Sequence, residues 1–207
     1  DNFKLVEQGR LREQELKELF TSAAYPTRNF HHNLGDLKAQ IAANEKGAQE
    51  LRNMVDHFGI DVVLAYMKHV QDNAEEMVRQ VIQNLINGEF EYVMDFGAKV
   101  KVAITVHPES RSATVDFTGT SPQQKNNFNI THAVAVAAVL YTFRLMVDSD
   151  IPLNAGCLKP LDIIVPENSM LRPRYPAAVV AGNVETSQAI TDTIFGALGL
   201  MGASQGT

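Results

Sequence analysis

The sequence predicts an α+β chain: an N-terminal long helical hairpin followed by a β-hairpin and a mixed α/β segment. Three observations carry this. Apolar residues in the first 88 positions recur at helical spacing, the period drops to two after Gly88, and beyond residue 118 apolar helical runs alternate with short strand-like runs.

In the first region Leu34, Leu37 and Ile41, then Leu51, Met54 and Val55, mark one helix face, and Gly59 ends the pattern as a glycine beyond a helix often does. Asp61 is expected to cap the next run, in which Val63, Tyr66, Met67, Val70, Ala74, Met77, Val81 and Leu85 share a face. With a short turn between them, the two helices are expected to return as an antiparallel hairpin over about residues 33–87. After Gly88, Val100, Val102, Ile104 and Val106 alternate with Lys99, Lys101, Ala103 and Thr105, the signature of a strand with one buried face. Residues 107–112 read as a turn and Val115 and Phe117 resume the alternation, so 99–118 is a β-hairpin. A helix is expected at about 131–147, a strand at 161–165, an apolar strand at 177–181, and a last helix at about 185–201. The expected organisation is a helical region at 1–88 and, at 89–207, a mixed region belonging to a larger catalytic domain.

With 207 residues, 45% of them hydrophobic, the chain can bury one large core or two small ones. A formal net charge of −6 and an isoelectric point near 5.5 offer no positive field for phosphate backbones, so nucleic acid is not an expected partner. No apolar run approaches the roughly 18–20 residues that cross a bilayer, and the opening residues lack a signal peptide's apolar core. No membrane association and a cytoplasmic location are expected. Cys157 is the single cysteine, and neither a CxxC nor an HExxH pattern marks a metal site. The chain starts at Asp1 without a methionine and stops directly after an apolar helical run, so it is expected to be an internal piece whose activity belongs to a longer parent.

Four polar clusters lie at junctions between elements, where a rigid scaffold can aim a loop. The first, Arg-Asn-Phe-His-His-Asn at 28–33, holds adjacent histidines that point in different directions, and reads as capping polarity with Asn33 or Asp36 near the helix start, or else as a substrate or metal contact. The second, Asp-Phe-Thr-Gly-Thr-Ser at 116–121, offers Asp116 and Thr118 either as a turn or as a ligand loop, without the Walker pattern of a nucleotide cradle. The third, Ile-Pro-Leu-Asn-Ala-Gly-Cys at 151–157, contributes Asn154 as a substrate contact and Cys157 as a nucleophile, or else as a small buried residue. The fourth, Gly-Asn-Val-Glu-Thr-Ser-Gln at 182–188, stands before the last helix. There Glu185 could act as a general base, Asn183 and Gln188 could polarise a carbonyl, and the helix-start amides could face an anion; the alternative is a capping segment.

Together these segments resemble the hydantoinase B/5-oxoprolinase family. The likeness rests on Asn-Leu-Gly-Asp-Leu-Lys-Ala-Gln-Ile-Ala-Ala-Asn (33–44), Ala-Tyr-Met-Lys-His-Val-Gln-Asp-Asn-Ala-Glu (65–75), Asp-Phe-Thr-Gly-Thr, Ile-Pro-Leu-Asn-Ala-Gly-Cys, Gly-Asn-Val-Glu-Thr-Ser-Gln, and Ala-Ser-Gln at 203–205. The resemblance implies the hydantoinase B-like half of an ATP-dependent cyclic-amide hydrolase that opens 5-oxoproline to glutamate or a hydantoin ring. A hydantoinase A-like subunit or domain would bind most of the ATP and Mg and activate the amide; the half represented here would take the intermediate to product as part of an oligomer. Glu185, Asn183, Cys157 and Asp116 are then the candidate catalytic residues, and Asn154, Gln188, Thr118 and Ser204 the candidate substrate contacts. The family's upstream Asn-Asp-Pro-Tyr…Gly-Thr-His type of segment is absent, so a divalent metal bound there lies outside this chain and the piece alone is expected to be inactive. The same family admits a ketone (acetone or acetophenone) carboxylase subunit. The long helices admit a reading of another class, an assembly scaffold.

Overall fold

A computed structural model describes residues 3–200. The chain divides into two units, Asp1–Ala65 and Tyr66–Thr207.

In the first unit Gln8 and Gly9, both at positive φ, close a small antiparallel hairpin of β1 (Val6–Glu7) and β2 (Arg10–Leu11). Helix α1 (Glu13–Ser22) carries Glu13 and Glu15 in its first turn, where carboxylates favour the helix dipole. An edge-on contact between Phe20 and Phe30, 6.1 Å between ring centroids, and a Lys38–Glu13 ion pair of 3.2 Å join α1 to α2 (Phe30–Phe58). The cap of α2 is Asn29, whose side chain accepts the His32 amide at 3.2 Å, and not Asn33 or Asp36. Asn33 is engaged otherwise, its side-chain oxygen accepting the Thr27 hydroxyl at 2.5 Å. Gly59 closes α2 as expected, donating to the Val55 carbonyl at 2.8 Å. Helix α3 (Ile60–Gln83) begins at once, with Asp61 inside its first turn instead of capping it. Only Leu34 is buried along α2, while Leu51, Met54 and Phe58 are exposed.

The second unit is built on a four-stranded sheet in the order β3 (Gly88–Val93), β4 (Lys99–His107), β5 (Ser112–Asp116) and β6 (Leu161–Ile164). The first three strands are antiparallel, and β6 joins β5 in parallel. Val100, Val102, Ile104, Ala113 and Val115 alternate inward, as the period-two pattern requires. They meet Ala74, Val78 and Ile82 of α3, Val139 and Phe143 of α4 (His132–Leu145), and Ile190 and Ile194 of α5 (Thr186–Leu198) in one core. Helix α5 lies close on β3 because Gly88 has no side chain: a Cβ there would sit 1.8 Å from the Ala197 carbonyl oxygen.

The β-hairpin and the helices expected at 131–147 and 185–201 are present within a few residues of those bounds. The strand expected at 177–181 is not. Those residues are irregular and run into a 3-10 turn, Ala181–Asn183. Pro176 directly precedes the stretch, and its hydrogen bonds go to the 122–130 loop instead of to a strand: Asn129 donates to the Ala178 carbonyl, and the Ala181 amide donates to the Asn127 carbonyl.

Within the second unit an ionic lattice ties α3 to the β4–β5 turn and to the start of β6. Arg111 grips Glu76 with two bonds of 2.7 and 2.9 Å, Arg79 binds Glu75 at 2.7 Å and the Ser110 carbonyl at 2.6 Å, and Lys159 spans Asp72 and Glu75 at 3.1 and 3.3 Å. Hydrogen bonds from Arg79 and then Lys159 hold Glu75 below an ordinary glutamate's 4.5, and those from Arg111 and Gln80 do the same for Glu76. Carboxylates depressed in the folded state contribute stability that is complete above their unfolded value and disappears as pH falls through the folded one. Urea midpoints are therefore expected to fall as pH drops below 4.5, and to fall less steeply in Glu75→Gln and Glu76→Gln. Parallel pH profiles for wild type and variants would show that the lattice contributes nothing.

Candidate functional site

The fourth polar cluster sits where the 3-10 turn runs directly into α5, with Val184 and Glu185 already in the helical region. The amides of Val184 and Glu185 donate back to the Ala181 carbonyl at 3.0 and 2.9 Å. At the head of this run the Ala181 and Gly182 amides both donate to the Asn127 carbonyl, at 3.0 and 3.1 Å. These two backbone donors of the 3-10 turn are occupied by the neighbouring loop. The segment also presents the side chains of Asn183, Glu185 and Gln188.

Two cavities open on these side chains. Glu185 and Gln188 line the smaller, about 160 Å³, together with Asp95, Asp192 and the rings of Phe96 and Phe128, whose centroids are 4.7 Å apart at a tilt of 32°. Asn183 lines the larger, about 520 Å³, in the groove between α4 and α5 with Tyr141 and Thr191. Gln188 borders both, and its amide donates to the Val184 carbonyl at 2.9 Å. A third cavity of about 960 Å³, mostly apolar, continues along α5 past Thr191 and Asp192 toward Phe195 and Leu200. The arrangement combines a carboxylate against an aromatic wall with the Gln188 amide one helical turn on, which suits proton removal from water beside a polarised carbonyl.

Of the other sequence candidates, Asp116, Thr118, Asn154 and Cys157 border none of the three cavities. Asp116 ends β5, where it accepts the Thr118 amide at 2.8 Å in a local turn. That turn is pinned to β4: the Thr120 hydroxyl accepts the Lys101 amide at 3.1 Å and the Ser121 hydroxyl accepts the Lys99 amide at 2.9 Å. Asn154 starts a 3-10 turn, Ala155–Leu158, accepting the Gly156 amide at 2.8 Å and donating to Pro152 at 3.1 Å and to Val70 of α3 at 3.4 Å. Cys157 in that turn is fully enclosed in the core. Ser204 lies outside the described residues. No three of the described His, Cys, Asp and Glu residues are grouped to hold a metal ion, and no described helix is long and apolar enough to cross a membrane. The Thr120 and Ser121 hydroxyls of the 116–121 turn are thus bonded to β4, and the segment carries no Walker pattern.

Sequence reasoning missed the aromatic wall, Asp95, Asp192 and the buried Asn129. A signal for the last was present in the asparagine-rich run at 126–129, where a polar residue sits between Phe128 and Ile130.

A family model described as hydantoinase B/oxoprolinase matches residues 1–207. The chain is 39% identical over 217 residues to a 5-oxoprolinase of Dictyostelium discoideum, covering 99% of this chain and 17% of that protein. It is 40% identical over 228 residues to 5-oxoprolinase 1 of Arabidopsis thaliana, covering 99% and 18%. It therefore spans about a sixth of the length of these relatives. Among solved structures it is similar in fold to the ATP-dependent caprolactamase from Pseudomonas jessenii, with a TM-score of 0.72 at 20% identity over 94% of this chain and 35% of that one.

Proposed function

We propose, since the chain belongs to the hydantoinase B/oxoprolinase family, that it is part of an ATP-dependent cyclic-amide hydrolase and supplies the half that takes the activated ring to the open product. The observation that carries this reading is the cavity in which Glu185 and Gln188 face the Phe96–Phe128 wall. A five-membered lactam such as 5-oxoproline is resonance-stabilised, so ring opening needs prior activation of the amide and then attack by water. Glu185 would take the proton from that water, with Gln188 or Asn183 polarising the carbonyl. ATP and Mg belong to a hydantoinase A-like subunit or domain, and the whole enzyme is a cytoplasmic oligomer.

The test is an assay of the full-length protein for ATP-dependent glutamate formation from 5-oxoproline, run beside bicarbonate-dependent acetone consumption. Glutamate formation is expected; acetone consumption instead would make the protein a ketone carboxylase subunit. Residues 1–207 on their own are expected to hydrolyse neither ATP nor 5-oxoproline, because the sequence has no Walker pattern and lacks the upstream Asn-Asp-Pro-Tyr…Gly-Thr-His type of segment. Turnover by the purified piece, surviving further purification, would overturn this division of labour.

A second reading concerns the first unit. Exposure of Leu51, Met54, Phe58, Ile60, Val62 and Leu64 favours an assembly role for this helical region, since clustered large apolar side chains are rarely left in water. Replacing Met54 and Phe58 by Lys is expected to weaken association of the enzyme's parts in size-exclusion chromatography; an unchanged elution profile would reject that role.

A further inference from the structure

The 122–130 loop and residues 178–186 form one hydrogen-bonded seam with a buried side chain at its centre. Asn129 has no exposed surface. Its oxygen accepts the Gln124 amide at 2.7 Å, and its nitrogen faces the carbonyls of Gln124, Asn126 and Ala178 at 3.0, 3.1 and 3.0 Å. With that loop fixed, the Asn127 carbonyl receives the Ala181 and Gly182 amides, and the Phe128 carbonyl receives the Thr186 hydroxyl at 2.6 Å. Thr186 is also fully buried. The other buried threonines of these helices, Thr142 and Thr193, bond the carbonyl four residues back in their own helix, whereas Thr186 reaches 58 positions back along the chain. Gly182 lets the two strips meet: a Cβ there would lie 2.1 Å from the Asn129 carbonyl oxygen and 2.5 Å from Ile130.

The seam leads to the site from both sides. Phe128, whose carbonyl holds Thr186, packs its ring at a tilt against Phe96 in the wall of the Glu185 cavity, and Glu185 immediately precedes Thr186. We infer that Asn129 and Thr186 are positioning residues, which set Glu185 and Gln188 against the aromatic wall without touching substrate. The inference rests on the hydrolase reading above. A misplacement of about 1 Å can cost on the order of a hundredfold in rate, so the seam acts on turnover more than on affinity.

The test uses the full-length protein with ATP and whichever of 5-oxoproline, hydantoin and caprolactam the wild type turns over fastest. Thr186→Val keeps the shape and removes the hydroxyl; Thr186→Ser keeps the hydroxyl. Thr186→Val is expected to lower kcat about tenfold or more with KM nearly unchanged, Thr186→Ser to restore most of the loss, and Thr186→Val added to Glu185→Gln to cost little further, because residues acting as a unit are not additive. Asn129→Ala is expected to follow the Thr186→Val pattern, and if it does not fold the threonine pair decides. A normal kcat in Thr186→Val, no restoration by serine, or a full additional loss in the double variant would overturn the inference while leaving an impaired Glu185→Gln, and hence the hydrolase reading, intact. A wild type that opens none of the three rings would overturn that reading, and the inference with it.

Discussion

Glu185→Gln and Asn183→Ala in the full-length protein are each expected to lower turnover of the cyclic amide at least about tenfold while leaving Tm within a few degrees. Losing a general base typically costs about 10² to 10⁴ in rate, and losing a donor to a developing oxyanion about 10² to 10³. Losing a helix cap costs about 1 kcal/mol of stability. The two roles separate cleanly here, because the Glu185 side chain makes no capping hydrogen bond to α5 and Asn183 is exposed. Steady-state kinetics and thermal unfolding on the same preparations decide it. Because Asn183 and Glu185 border different cavities, the pair also locates the substrate: loss in Glu185→Gln alone places it on the aromatic wall, and loss in Asn183→Ala alone places it in the α4–α5 groove. Normal turnover in both variants would return the segment to a purely structural start of α5.

What the sequence could reveal of this fold follows from where each contact lies along the chain. The β4–β5 hairpin was readable because one face of it packs on the core and the alternation of Val100, Val102 and Ile104 records that burial directly. Strand β3 was not readable, since Phe90 and Val93 are exposed on an edge strand and Gly88 serves α5 by having no side chain. The run at 177–181 has strand-like composition, but its hydrogen bonds to the 122–130 loop set its conformation, and the Asn129–Ala178 bond closes over 49 positions. For the site, the density of polar residues at 182–188 marked the segment that borders two cavities. That Asn127 would occupy the leading amides, and that Phe96 and Phe128 would pack beside Glu185, depends on approach between distant segments, which local pattern does not record. The same limit applied to Cys157: a lone cysteine is more often a small core residue than a nucleophile, and the packing around it is not recorded in the local sequence.

At the 116–121 turn, Phe117→Ala is expected to destabilise the protein by about 3–5 kcal/mol, whereas Asp116→Asn next to it should leave both stability and turnover near wild type. Phe117 is fully buried in the core, and its amide donates to the Ile164 carbonyl of β6 at 2.9 Å, so truncation removes a large apolar side chain from under the strand junction. At roughly 2–4 °C per kcal/mol for a unit of this size, that is a fall in Tm of about 6–20 °C. Asp116 instead accepts the Thr118 amide through one side-chain oxygen, a bond that asparagine can also accept, and the turn is independently fastened to β4 by Thr120 and Ser121. A carboxylate used for proton transfer or for holding a cation cannot be replaced in this way, because the amide has neither the charge nor the basicity. Turnover lost in Asp116→Asn at unchanged Tm would therefore move Asp116 from the turn into the chemistry, and an unchanged Tm in Phe117→Ala would refute the burial on which the turn depends.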